Sequence, residues 1–277
     1  MRNLKMTICL AVVVLFMATG QGFGLTQFKD GEIHNISYTI NDEVQVDYGV
    51  QGMGTTFNLL SGGSIAGGSD YWPNNLKGYE DSHINISGGT LIYTLYAWDN
   101  CQVNFSEGMI IGCISAHDNS QVVLSGGATT NGINASGNSH VTVSGGSTSY
   151  LIADYDSRVS ISGGSISNAI ADMSLWTHRN SKTIISGGTM KGIICLQDIS
   201  CIEFIGTDFA IDGSPFGYGK FNPPISGYGC VLTGTLANGD YLDNKLVFYD
   251  GSSIILTPEP ATLLLLGLGS VMLRRKR

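Results

Sequence analysis

The sequence predicts an all-β chain wound as a single-stranded parallel β-helix, a β-solenoid with rungs of about 18–19 residues and a right-handed turn. Three observations carry this. A Ser-Gly-Gly recurs along the middle of the 277 residues, the residues before it alternate apolar and polar, and each copy closes on Asp or Asn.

The copies begin at Ser82, Cys101, Ser120, Ser139, Ser157 and Ser181, and a seventh at Ser200 has lost its second glycine. Successive starts lie 19, 19, 19, 18, 24 and 19 residues apart. A fixed period of this length marks stacked supersecondary units that cannot bury an apolar face alone. Within a copy, positions three and five are mostly β-branched or large and apolar, with mostly polar residues between, as in Val141 and Val143 or Val159 and Ile161. Period two is the signature of a strand with one face turned inward. The Gly-Gly then supplies the positive φ that a corner demands and is expected to end the strand. A second apolar stretch follows, as in Gly112–Ala116, Leu151–Ala153 and Ala169–Ala171. Glu43–Val46 and Thr56–Leu59 read as weaker copies toward the N-terminus. The six extra residues of the fifth copy are expected to form a loop near Ser174–Arg179 carrying Trp176, His178 and Arg179.

Four segments follow. Residues 1–24 read as a secretory signal peptide, with Arg2 and Lys5 ahead of an apolar run and small residues after it. Residues 25–207 are the repeat body. Residues 208–256 are an irregular cap rich in Pro, Gly and aromatics, with closing strands joined by a turn at Asn238-Gly239. Residues 257–277 are a tail: Thr257-Pro258-Glu259-Pro260, an apolar run over Ala261–Leu273, then Arg274, Arg275, Lys276 and Arg277. The prolines prevent the body's secondary structure from continuing. Four terminal cations favour the cytoplasmic face of a membrane and orient the run. Thirteen apolar residues make a helix of about 20 Å, short for a permanent span, so the insertion is expected to be transient.

The order of motif, apolar run and basic end resembles the PEP-CTERM sorting signal of Gram-negative bacteria. That resemblance implies recognition of Pro258, Glu259 and Pro260 by exosortase, export through the general secretion machinery, a membrane-anchored precursor, and delivery to the cell surface or extracellular matrix. Leu232–Gly239 is also similar to the ends of exported β-helix proteins of that sorting class.

Without the two terminal segments, eight basic residues face 21 acidic ones, a net charge of −13. Such a body carries no electrostatic footprint for nucleic acid and is repelled by an anionic membrane, leaving neutral glycans and divalent cations as easier partners. Five cysteines remain: Cys101, Cys113, Cys195, Cys201 and Cys230. The odd count leaves one unpaired; Cys195 with Cys201, or Cys201 with Cys230, are near enough for a bridge, and buried small residues are the other reading. No Cys or His spacing suggests zinc, and no cofactor is expected.

A β-helix of this kind can host polysaccharide lyases or glycoside hydrolases, whose chemistry needs paired carboxylates within about 5–10 Å. The residues for such a carbohydrate site are Asp154, Asp156, Asp172, Trp176, His178 and Arg179. Most acids, however, sit at the repeated closing position, where Asp and Asn serve turns. The short period also leaves little chain to wall a cleft. The expected function is therefore a non-catalytic surface or matrix protein, a spacer, adhesin or biofilm component that meets extracellular polysaccharide. A carbohydrate-active enzyme is the alternative.

Overall fold

The computed structural model describes residues 24–66, 76–167 and 172–259. Among them every regular element is a strand, so the all-β expectation holds. The chain alternates between two parallel ladders. One takes Ile33–Ile36, Thr56–Leu59, His83–Leu91, Gln102–Ile110, Gln121–Leu124, His140–Val143, Arg158–Ser167, Lys182–Lys191 and Cys201–Ile211. The other takes Leu25–Phe28, Glu43–Val46, Leu76–Gly78, Leu95–Ala97, Ile114–Ala116, Gly132–Ala135, Tyr150–Ala153, Met173–Thr177 and Ile193–Leu196. Glu43–Val46 and Thr56–Leu59 thus belong to different ladders and are not equivalent copies.

The register explains the period. Val122 pairs with Val141, Val141 with Val159 and Val159 with Thr183, and Val143 follows the same line between Leu124 and Ile161. Side chains of like position therefore stack in files about 4.8 Å apart. Val143, Leu151, Ile185 and Phe204 are fully buried, while residues that alternate with them along the strands, such as Ile184, face out. Burying an aliphatic side chain contributes about 1.5–3 kcal/mol, and here each is covered by its counterparts in the neighbouring rungs.

The two glycines of the repeat do different work. The second has positive φ, 69° at Gly127, 71° at Gly146 and 82° at Gly164. The first is needed for space: a Cβ on Gly163 would lie 2.5 Å from the carbonyl oxygen of Ser144, and one on Gly145 would lie closer still to that of Ser125. Nor does the pair always end the strand. His83–Leu91, Gln102–Ile110, Arg158–Ser167 and Lys182–Lys191 run through it, with register shifts that absorb the kink.

The extra residues of the fifth copy are also placed differently from expectation. Leu151 pairs with Leu175, Ile152 with Trp176 and Ala153 with Thr177, so Trp176 lies in a strand and His178 and Arg179 in the corner after it. The insertion falls between Ser167 and Met173; Ala169–Ala171, read as that rung's second apolar stretch, lie outside the described residues and Leu175–Thr177 take that role.

From Gly206 the pattern changes. Cys201–Ile211 pairs antiparallel with Tyr228–Leu236, which turns through Asn238-Gly239 into Tyr241–Phe248 as expected. The chain then rejoins both ladders: Ile194 pairs parallel with Leu246, and Cys201 with Ser253. Residues 208–240 are thus inserted into the winding, and the final strand, Ser253–Thr257, is held on its other side by Gly219–Phe221. The signal-peptide run and the residues from Pro260 onward lie outside the described residues.

Candidate functional site

Most of the body's closing acids sit at one recurrent corner. The quartets Trp98–Cys101, His117–Ser120 and Gln197–Ser200 are each closed by an amide of the fourth residue donating to the carbonyl of the first, at 3.0–3.3 Å. The second residue is left-handed: φ is 56° at Asp99, 54° at Asp118 and 57° at Asp198. Asp enters that region more readily than most side chains. Its carboxylate then accepts a backbone N–H from the preceding rung, Glu80 to Asp99 at 3.1 Å, Asp99 to Asp118 at 3.3 Å and Arg179 to Asp198 at 3.2 Å. These acids are rung-to-rung ties.

The fourth corner residue is Ser at 82, 120, 139, 157, 181, 200 and 252, all buried, because only a small side chain fits the inner file. Cys101 takes a place in that file, and burial pushes its thiol up to about 12. All five described cysteines are free, so neither disulfide pairing forms. Burial likewise raises the Cys230 thiol to about 11, which keeps it protonated and unreactive.

Four corners break the Asp pattern, with Glu80, Gly137, Tyr155 and Arg179 at the second position. Tyr155 and Arg179 adopt the same left-handed backbone, with φ 56° and 50°. The Arg179 guanidinium lies 3.8 Å from the centre of the Tyr155 ring and donates to both carboxylate oxygens of Asp154, at 2.8 and 2.9 Å. His178 packs on Trp176 with ring centres 4.4 Å apart. Burial holds the His178 imidazole below its ordinary value, against the opposing pull of Asp154 and Asp198. Asp154, Trp176, His178 and Arg179 are therefore brought onto one outer face. Asp156 is on the neighbouring file, accepting from the Asn180 amide at 3.1 Å. Asp172 is not brought in: it precedes Met173, at the far end of the strand from His178, roughly 20 Å along the chain at 3.3 Å per residue. Its carbonyl accepts the amide of Ile193. Asp154 is thus ion-paired with Arg179, and Asp156 is hydrogen-bonded to Asn180.

Asn35, Asn85 and Asn104 each begin an Asn-x-Ser triplet, the N-glycosylation sequon pattern, and here the asparagines have a structural role. Asn58 donates to Asn35 at 2.7 Å, Asn85 to Asn58 at 2.9 Å and Asn104 to Asn85 at 3.0 Å, an amide ladder on an outer file. The repeat's Ser two residues later completes the sequon pattern.

The tail departs from the body without a linker. Leu256 pairs with Phe204 and Thr257 with Ile205, and the Thr257 hydroxyl donates to Glu203 at 2.7 Å. Pro258 and Glu259 follow at once; Pro260 and Arg274, Arg275, Lys276 and Arg277 lie outside the described residues. Among the described residues no helix is long and apolar enough to cross a membrane, and the run over 261–273 is not among them.

Residues 256–277 match the model of the PEP-CTERM protein-sorting motif. The motif implies an exported, cell-surface-destined protein with exosortase as its processing partner. No curated protein and no solved structure matches the chain.

Proposed function

We propose that this chain is a surface or extracellular-matrix protein of a Gram-negative bacterium, held as a membrane-anchored precursor until exosortase acts. Its body is a right-handed parallel β-helix that is non-catalytic and works as a spacer, adhesin or biofilm component in contact with exopolysaccharide. The observation that carries this reading is the junction: the sorting motif begins at Leu256, which is 1% exposed and part of the last strand. Processing beyond Thr257 would therefore release a body whose winding is already closed. The parallel one-period registers support the β-helix, and the use of Asp99, Asp118 and Asp198 as ties to the preceding rung supports a body without catalysis.

Cell fractionation tests it. Pro258→Ala with Glu259→Ala should leave an uncleaved precursor in the membrane, because the anchor still inserts. Deleting 261–277 should instead release the body unattached. Processing of the double variant at the parental rate would overturn the reading.

A further inference from the structure

Along the outer edge between the corners and the first ladder runs a polar trough. One wall is the third corner residue of each rung, Asn100, Asn119, Asn138 and Asp156; the other is the first outward residue of each strand, Gln102, Gln121, His140 and Arg158. The trough encloses about 680 Å³ and continues past Arg158 to Lys182 and Cys201. A second groove of about 420 Å³ opens on the other side of His140, Arg158 and Lys182.

The cations in this trough are out of keeping with the body. His140 pairs with Arg158, and Arg158 with Lys182, in direct register, so two permanently cationic side chains leave the backbone at positions about 4.8 Å apart. Like charges placed opposite one another across strands destabilise a sheet. Among the described residues neither Arg158 nor Lys182 has a carboxylate within ion-pairing distance, whereas Lys77 and Arg179 do. Asp81, Asp156 and Glu203 also line the trough and groove and keep their charges, but each accepts from a neutral donor, Asn100, Asn180 and Thr257, and none is ion-paired with Arg158 or Lys182. Charges beyond about 8 Å are screened at physiological salt, so the net charge of −13 does not by itself keep an anion from the adjacent cations Arg158 and Lys182.

We infer that the trough binds a linear carboxylated polysaccharide lying parallel to the stacking axis, its carboxylates on Arg158 and Lys182 and its hydroxyls on the carboxamides of Asn119, Gln121 and Asn138. The rung spacing of about 4.8 Å is close to the advance per residue of an extended pyranoside chain, so successive sugars meet successive rungs. His140 accepts from the Arg158 guanidinium at 3.4 Å through its ring nitrogen, holding the arginine toward the groove. The inference rests on the reading of the body as a glycan-facing surface module.

The test is a titration of the full-length protein in detergent with polygalacturonate, with dextran and duplex DNA as parallel arms and with product absorbance followed throughout. The expected result is salt-sensitive binding of polygalacturonate, weak or absent binding of the other two, and a loss of about tenfold or more in Arg158→Gln/Lys182→Gln. Lys220→Gln/Lys245→Gln, which changes the charge equally outside the trough, should bind as the parent does. No binding of polygalacturonate by the folded protein, equal binding of dextran or DNA, or parental binding by the trough variant at an unchanged melting temperature would overturn the trough. Binding with chain cleavage would uphold the trough and overturn the non-catalytic reading; absence of binding leaves that reading intact.

Discussion

Thr257 and Glu203 are joined by a 2.7 Å hydrogen bond, and the residue after Thr257 is the first proline of the sorting motif. Fold and signal therefore overlap at Leu256–Thr257, where the last strand lies between Cys201–Ile211 and Gly219–Phe221. Leu256→Asp should bury an unpaired carboxylate at this seam and cost several kcal/mol. The checks are the melting temperature and the yield of exported protein. Both should fall together, and a parental melting temperature would show that the strand is not integral to the body.

Two glycine substitutions should separate space from backbone strain. Gly145 lacks positive φ but faces the Ser125 carbonyl, whereas Gly239 has φ 93° with nothing within 4 Å of a built Cβ. Gly145→Ala should therefore cost about 2 kcal/mol or more through overpacking. Gly239→Ala should cost about 1 kcal/mol through left-handed strain alone. Urea midpoints in the reverse order would contradict the assigned roles.

How much of this was legible in the sequence depends on what each residue answers to. Val141, Val143, Val159 and Ile161 were legible because burial on one face imposes period two directly. The Asp closing positions were legible as structural, but not their left-handed φ or their bond to the preceding rung's amide, which follow only from stacking. Trp176 was misplaced because aligning on Ser-Gly-Gly measures a 24-residue interval without locating the insertion within it. The return of the chain to both ladders at Tyr241–Thr257 was missed because residues 208–240 interrupt the period. Tyr249-Asp250-Gly251-Ser252 before the alternating Ser253–Leu256 carries the corner and strand template, and could have signalled it. The cations at Arg158 and Lys182 looked scattered in sequence and become adjacent only in register.

Stability should respond to pH through two histidines. His117 stacks on Trp98 at 4.0 Å and 9°, and burial lowers its pKa, as it does for His178. A folded-state pKa below the unfolded value means that the unfolded chain binds more protons, so this stability is present above about pH 6.5 and is lost as pH falls through the folded values. His117→Phe with His178→Phe should flatten the melting-temperature profile just below pH 6.5. An unchanged slope there would assign the dependence to other groups.

If the tail after Thr257 is a processed sorting signal on a completed fold, its removal leaves a direct mark on the mature chain. Intact-mass and peptide mass spectrometry of the protein recovered from the cell surface tests it most directly. The account predicts a C-terminus at or just beyond Thr257, with no peptide from Ala261–Arg277. Recovery of surface protein still ending in Arg274-Arg275-Lys276-Arg277 would contradict it.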